Sequence, residues 1–477
     1  MLKTKWNSIP LAVKVSISYA ICSILQKCLS FITLPLFTRL LTTEQYGQYT
    51  IYASWSGILT IFITLNLYAG SFSTAMVKYE NNRDEYISSI QGICLFLLGL
   101  FFIVYFPLKD LWNKLFELPT LFVIIMALEI FFVTATQFWT NKKRFEYKYK
   151  QVVVITLLIS ILSPILAYIL VLSTPQKGYA RILGYAAINI FIGIIFFIIN
   201  VKNGEKFFNK KYWKYALEFN IPLLVYYLSQ VFFNQSDRIM ISHMTGKSDA
   251  AMYGVAYNLA MILTFVLNAI NDSYIPWLYK KIKNDEQKDN KSVSSIISII
   301  MSLMILCVIW YAPEIINIMA GKQYESAIYV VAPVSMSLFL LFYSQLFINI
   351  QFYYEEKKLL VWASVLAAIL NIVLNYALIP IFGYVVAGYT TLISYVIFMM
   401  SNYYAMKKTL KKNELKDNLY DYKSLFFVMI TFFISGFLGV ILYDLLAIRI
   451  IITILVLIVV IINRYYFIDI LKKIKEK

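Results

Sequence analysis

Residues 11–37 read LAVKVSISYAICSILQKCLSFITLPLF, and the fold turns on what this stretch becomes. As a helix rising 1.5 Å per residue it is about 40 Å long, more than the roughly 20 residues needed to cross a bilayer. Lys3 and Lys5 ahead of it imitate the basic start of a signal peptide. A signal peptide's apolar core is about half this length, and this run carries Lys14 and Lys27 with no small-residue cleavage site. It is expected to stay as a first membrane span.

Thirteen further runs share its character, giving spans at about 11–37, 47–70, 87–107, 118–138, 151–173, 180–200, 219–243, 250–277, 294–312, 327–350, 358–378, 384–404, 424–443 and 447–466. The 477 residues are 60% hydrophobic and 14% charged, with a mean hydropathy of +0.69. A soluble domain is about 45–50% apolar and about 25% charged, so a soluble enzyme with one anchor does not fit. No loop is long enough for a folded domain. The expected fold is an all-α polytopic membrane protein of about 14 transmembrane helices.

Lys and Arg number 43 against 26 Asp and Glu, for a formal charge of +17. Thirty-three of these cations fall on the termini and the alternate loops of one side, eight fall on the opposite side, and Lys27 and Arg238 lie inside spans. Cytoplasmic loops carry the Lys and Arg excess, which makes both termini cytoplasmic. Arg181 and Arg449 belong to the sparse outer set. The basic charge then orients the chain and is no nucleic-acid surface, although clusters such as Lys142-Lys143-Arg144 and Lys407-Lys408 also suit anionic headgroups. The four cysteines all sit in apolar runs, so neither a disulfide nor a metal cluster is expected. His243, the only histidine, leaves no Ser-His-Asp triad to argue for and is expected at a solvated helix end.

Three short matches relate the halves. Ile9-Pro10-Leu11 opens span 1 and Ile221-Pro222-Leu223 opens span 7; Tyr46-Gly47 and Tyr253-Gly254 open spans 2 and 8; Gly184-Tyr185 and Gly383-Tyr384 begin spans 6 and 12. Their common order predicts two six-helix lobes in a parallel pseudo-repeat, since six spans return the chain to the side it left. The division is an amino-terminal lobe over 1–205, a second lobe over 206–410, and spans 13 and 14 with a basic tail over 411–477.

Ionisable groups at bilayer depth are costly and face protein or water, so they carry the functional argument. Lys27 follows Pro10 by 17 residues and Arg238 follows Pro222 by 16, which puts both about 25 Å into their helices. One cation per lobe at matching depth suits a diphosphate, Arg as a bidentate fork and Lys as a point charge. Neutralisation of Lys27 by Glu129 and of Arg238 by Asp237, or snorkelling, is the competing account. Asn66 of span 2 and Asn268, Asn271 and Asp272 of span 8 are cavity candidates for sugar hydroxyls, or else satisfy one another between helices. Glu129, near mid-depth in span 4, is either an ion-coupling group or the partner of Lys27. Gly246-Lys247-Ser248 has Ile241 where a phosphate-binding loop needs its first glycine, so no ATP hydrolysis is expected and no cofactor is called for.

With these residues placed, the chain resembles the polysaccharide transporter, or Wzx-type flippase, family of the MOP superfamily, which also holds MATE drug antiporters and lipid II flippases. The resemblance is carried by Leu40-Leu41-Thr42-Thr43-Glu44-Gln45-Tyr46-Gly47, Asp237-Arg238, Tyr253-Gly254 and NIVLNYALIPIFGYVVAG over Asn371–Gly388. It implies two six-helix lobes that alternate access and move an undecaprenyl-diphosphate-linked oligosaccharide across the bacterial cytoplasmic membrane for capsule, O-antigen or exopolysaccharide synthesis. It also implies that cavity cations, here Lys27 and Arg238, engage the diphosphate. The chain departs from the family at Lys78, where an arginine is expected, and at Asp272, where span 8 lacks a second cation.

An ion-coupled MATE-type antiporter would need Glu129 and Asp237 as cation sites, and a lipid II flippase would need more cavity arginines. A glycosyltransferase or polymerase using the same carrier would need catalytic acids at the water boundary. The outer segment at 313–326 has only Glu314 and Glu325, read as a solvated face. Any contact with a polymerase or glycosyltransferase falls to helix surfaces or short loops.

Overall fold

The computed structural model describes residues 11–284, 286, 288–356, 358–413 and 419–462. Ile9 and Pro10, ahead of Leu11 at the opening of span 1, and the basic tail beyond residue 462 lie outside them. The chain forms two compact units that divide after Ser242. The first contains α1 (Leu11–Leu40), α2 (Thr43–Thr64), α3 (Phe72–Lys78), α4 (Arg83–Tyr105), α5 (Lys109–Phe116), α6 (Thr120–Phe145), α7 (Tyr149–Ser173), α8 (Lys177–Gly204), α9 (Lys210–Asn220) and nearly all of α10 (Leu224–Thr245). The second contains α11 (Lys247–Met261), α12 (Leu263–Lys283), α13 (Asp289–Trp310), α14 (Ala312–Met319), α15 (Ile328–Tyr353), α16 (Lys358–Phe382), α17 (Val386–Lys412), α18 (Tyr422–Ile441) and α19 (Leu446–Ile462).

Each expected span overlaps a helix, with span 2 running past the end of α2, span 7 running from the end of α9 into α10, and span 8 being the pair α11 and α12 joined at Ile262. Among the described residues, eleven helical segments are long and apolar enough to cross a membrane. Such runs become helices because hydrocarbon offers the backbone no other hydrogen-bonding partner. The chain is a multi-pass, all-α membrane protein.

In the first unit the LLTTEQYG stretch is a capping box. Thr42 Oγ1 accepts from the Gln45 N–H, and Gln45 Oε1 accepts from the Thr42 N–H, both at 3.2 Å, which fixes the start of α2. α8 packs on α7, α6, α4 and α2. It meets α7 closely at Gly184, where an added Cβ would stand 2.2 Å from Ala167 Cα. Arg181, expected in an outer loop, is instead in the second turn of α8 and buried. Its guanidinium lies 3.7 Å from the Tyr49 ring, with Phe37 and Tyr46 at 4.5 and 4.6 Å. Three aromatic faces replace the water it gives up.

In the second unit α15 is the axis, buried on nearly every side and surrounded by α17, α11, α13 and α18. An all-round apolar helix is stable only in such a position. The NIVLNYALIPIFGYVVAG stretch supplies buried polar contacts between helices. Asn371 donates to Thr391 Oγ1 at 3.1 Å, Asn375 donates to Asn371 Oδ1 at 3.3 Å, and Thr390 donates to Asn375. Gly383, with φ of 74°, ends α16 in the left-handed conformation that favours glycine. Its match Gly184 sits inside a helix as a packing contact, so this pair of the repeat does two different jobs.

Glu314 and Arg449, expected to be solvated, form a bidentate ion pair. Arg449 Nη1 and Nη2 donate to the two Glu314 oxygens at 2.8 and 2.7 Å, and also to the Trp310 and Tyr443 carbonyls. Arg449 is 1% exposed. The pair ties α19 to α14 and the end of α13.

Candidate functional site

Lys27 is on the seventeenth residue of α1, about 24 Å along it. Its side chain is exposed, as are Ser23, Ile24, Ser30 and Phe31 one turn away. Among the described residues it makes no hydrogen bond and no ion pair. The pairing with Glu129 does not form. Glu129 faces α2 and α8, where its Oε2 accepts from the Tyr52 hydroxyl at 2.5 Å and its Oε1 from Asn189 Nδ2 at 2.7 Å. Two neutral donors therefore satisfy this carboxylate and leave the cation on α1 without it.

Arg238 and Asp237 are both buried on α10. Arg238 Nη1 donates to Gln235 Oε1 at 2.8 Å, and Gln235 rests against Gly57 of α2, 3.5 Å from where a Cβ would stand. Asn66, expected inside span 2, lies beyond the helix that forms there. α2 ends at Thr64, and Leu65 and Asn66 follow with φ of 48° and 54°, so Asn66 is in a left-handed turn that asparagine tolerates well. That turn continues to Gly70, which stands so close to Asn220 and Tyr227 that a Cβ would meet both.

In the second unit, Asn268 and Asp272 share an exposed polar face of α12. Asn271, one step round the helix, accepts at its Oδ1 from the buried Asn349 of α15 at 2.8 Å. The single histidine, His243, is exposed in the last turn of α10.

The sequence reading missed a polar cavity within the first unit. It has a volume of 240 Å³ and lies among α1, α7 and α8, with Gln26, Ser30, Ser160, Ser163, Tyr185 and Asn189 on its wall. Gln26 Nε2 donates to Ser160 Oγ at 3.2 Å across the cavity. Ser163 Oγ is buried with no protein partner. Asn189 links the wall to Glu129 behind it. A signal was present in the sequence: Gln26 and Ser30 are four apart, and Ser160 and Ser163 three apart, so each pair marks one face of an otherwise apolar helix.

The model of the polysaccharide biosynthesis protein family matches residues 12–282. A membrane protein of Haemophilus influenzae is 23% identical over 368 residues, covering 75% of this chain and 88% of its own. Protein 1 of the Lsg locus of the same organism is 23% identical over 407 residues, covering 81% and 98%. Among solved structures, the lipid II flippase MurJ in an inward closed conformation superposes with a TM-score of 0.69 at 16% identity, covering 94% of this chain and 99% of its own. An inward-facing MATE family multidrug transporter of the MOP superfamily superposes at 0.56 and 12% identity, covering 84% and 99%. These likenesses carry the fold, and the family match spans more than half the chain: the protein belongs to the polysaccharide biosynthesis protein family and has the fold of the MOP superfamily transporters.

Proposed function

We propose that this protein flips an undecaprenyl-diphosphate-linked oligosaccharide across the bacterial cytoplasmic membrane to supply a surface polysaccharide. The observation that carries the proposal is Lys27, an exposed cation deep in an apolar helix with no ionic partner among the described residues. An ammonium in that position is costly unless an anion comes to it. A lipid diphosphate brings two phosphates to membrane depth on an apolar tail.

Arg238 is the second cation assigned to the diphosphate, and its fork geometry suits a phosphate oxygen pair. Asn268 and Asp272, on the exposed face of α12, are assigned to sugar hydroxyls. Glu129 is assigned to ion coupling, because an uncharged pair of donors lets the carboxyl exchange its proton without breaking a salt bridge. Asp237 is the alternative coupling group. The two lobes of the mechanism are residues 1–205 and 206–410, both termini being cytoplasmic. Membership of the polysaccharide family and the flippase and drug-transporter fold both support this reading.

The test is the leaflet distribution of polyprenyl-diphosphate-linked oligosaccharide in cells lacking the protein. Complete units accumulate on the cytoplasmic side and disperse when the intact gene is restored. Normal surface glycan with no accumulated intermediate would overturn the substrate assignment and favour the antiporter reading, to be pursued with a drug-susceptibility panel.

A further inference from the structure

We propose that the cavity among α1, α7 and α8 is a binding subsite for one neutral sugar ring of the transported glycan. The inference rests on the flippase reading and deepens it, because nothing in that reading assigns these residues.

The volume sets the first limit. At about 30 Å³ per water, 240 Å³ corresponds to about eight waters, too much space for a bare ion or a single bridging water. It is the scale of a pyranose with its hydroxyls. The chemistry sets the second. No Lys, Arg, Asp or Glu lines the cavity, so neither a phosphate nor a metal ion finds a countercharge there. What the wall offers is hydroxyls, carboxamides and the phenol of Tyr185, which are donors and acceptors spaced for a ligand rich in both.

Three features leave that capacity unspent by the protein itself. Ser163 belongs to the wall, and its Oγ is buried without a protein partner, a costly state in an apolar bundle. Pro164 has no N–H to give to the carbonyl of Ser160, four residues earlier, which frees an acceptor beside the same wall. Asn189 spends its Nδ2 on Glu129, and this turns its Oδ1 away from the carboxylate as an acceptor. Glu129 therefore positions a cavity residue without lining the cavity.

The location fits a lipid-linked sugar. Ser30 belongs both to the wall and to the exposed face of α1, and Lys27 is one turn before it on that face. A diphosphate held at Lys27 would present its first sugars within reach of Ser30 and Gln26.

The experiment uses the full chain in lipid nanodiscs and two probes: undecaprenyl diphosphate, and the lipid-linked oligosaccharide accumulated by cells lacking the protein. The proposal predicts that the wild type binds the glycosylated lipid at least tenfold more tightly than the bare one. Ser163→Leu, which fills the cavity, is predicted to remove that preference while the bare lipid binds as before. Ser160→Ala, which adds no bulk and loses the Gln26 contact, is predicted to cut the preference about threefold. Equal wild-type affinity for the two lipids overturns the subsite and leaves the flippase reading intact. A preference that survives both substitutions also overturns it. Binding of neither lipid removes the flippase reading and the subsite together.

Discussion

Asn189 of α8 and Tyr52 of α2 hold one carboxylate between them, donating to Glu129 Oε1 and Oε2 at 2.7 and 2.5 Å. A glutamine at 129 keeps one acceptor oxygen for Asn189 and turns a donating NH2 toward Tyr52, whose hydroxyl must then accept and leave its own proton without a partner. Glu129→Gln is expected to cost about 1–3 kcal/mol, the penalty of stranding a buried polar group. Thermal unfolding in detergent reads it as a lowered midpoint, and Tyr52→Phe, which leaves Glu129 Oε2 without its donor, is expected to lower the midpoint as well. If Glu129 couples transport to protons, the same glutamine variant flips substrate at a rate that no longer responds to an imposed pH gradient.

The Arg449–Glu314 pair predicts a pH dependence on the second unit. The guanidinium beside Glu314 holds its carboxyl below the usual carboxylate range. A depressed folded-state value contributes stability that is fully present above the unfolded value of about 4.3 and is lost as pH falls through the folded one. Wild-type protein is therefore expected to lose stability below pH about 4, and Glu314→Gln to be flatter over that range. Glu314→Ala strands a guanidinium that is 1% exposed. The expected cost at neutral pH is about 3 kcal/mol, the lower end for breaking a buried pair, because the carboxylate side is partly exposed to solvent screening.

Two glycines in the first unit predict opposite outcomes for the same substitution. At Gly184 a Cβ would meet the Ala167 backbone at 2.2 and 2.5 Å, so Gly184→Ala must push α8 from α7. Overpacking of this kind costs about 1–3 kcal/mol. At Gly99, within α4, nothing lies within 4 Å of the added carbon, and Gly99→Ala is expected to gain about 0.5–1 kcal/mol from reduced backbone entropy. Paired thermal unfolding of the two variants checks both signs.

The helices were legible in the sequence because bilayer thickness makes span length nearly a constant, so apolar runs such as 11–37 announce themselves. Partnerships were not. Glu129 and Lys27 stand at similar depth, yet helix rotation turns the carboxylate to Tyr52 and Asn189 and leaves the lysine on an uncovered face. Arg181 and Arg449 looked like loop cations because they lie near span ends; the aromatic cage and Glu314 that bury them come from helices distant in sequence. Asn371 and Asn375 belong to the stretch that carries the family resemblance, and their hydrogen bonds give that pattern a structural reason. The polar cavity escaped notice because a serine or glutamine in an apolar run usually bonds its own helix, as Ser160 does with the Thr156 carbonyl. Only the assembly of α1, α7 and α8 brings such residues to one wall.

Lys27 is where the functional account is most exposed to contradiction, and the most direct measurement is the flipping rate of undecaprenyl-diphosphate-linked oligosaccharide in vesicles reconstituted with the full chain. Loss of a charge-assisted hydrogen bond worth about 1.5–3 kcal/mol corresponds to roughly a tenfold effect or more. Lys27→Ala is predicted to flip at least tenfold more slowly than the wild type at equal amounts of folded protein, with Lys27→Arg recovering much of the rate. Wild-type flipping by Lys27→Ala would contradict the account.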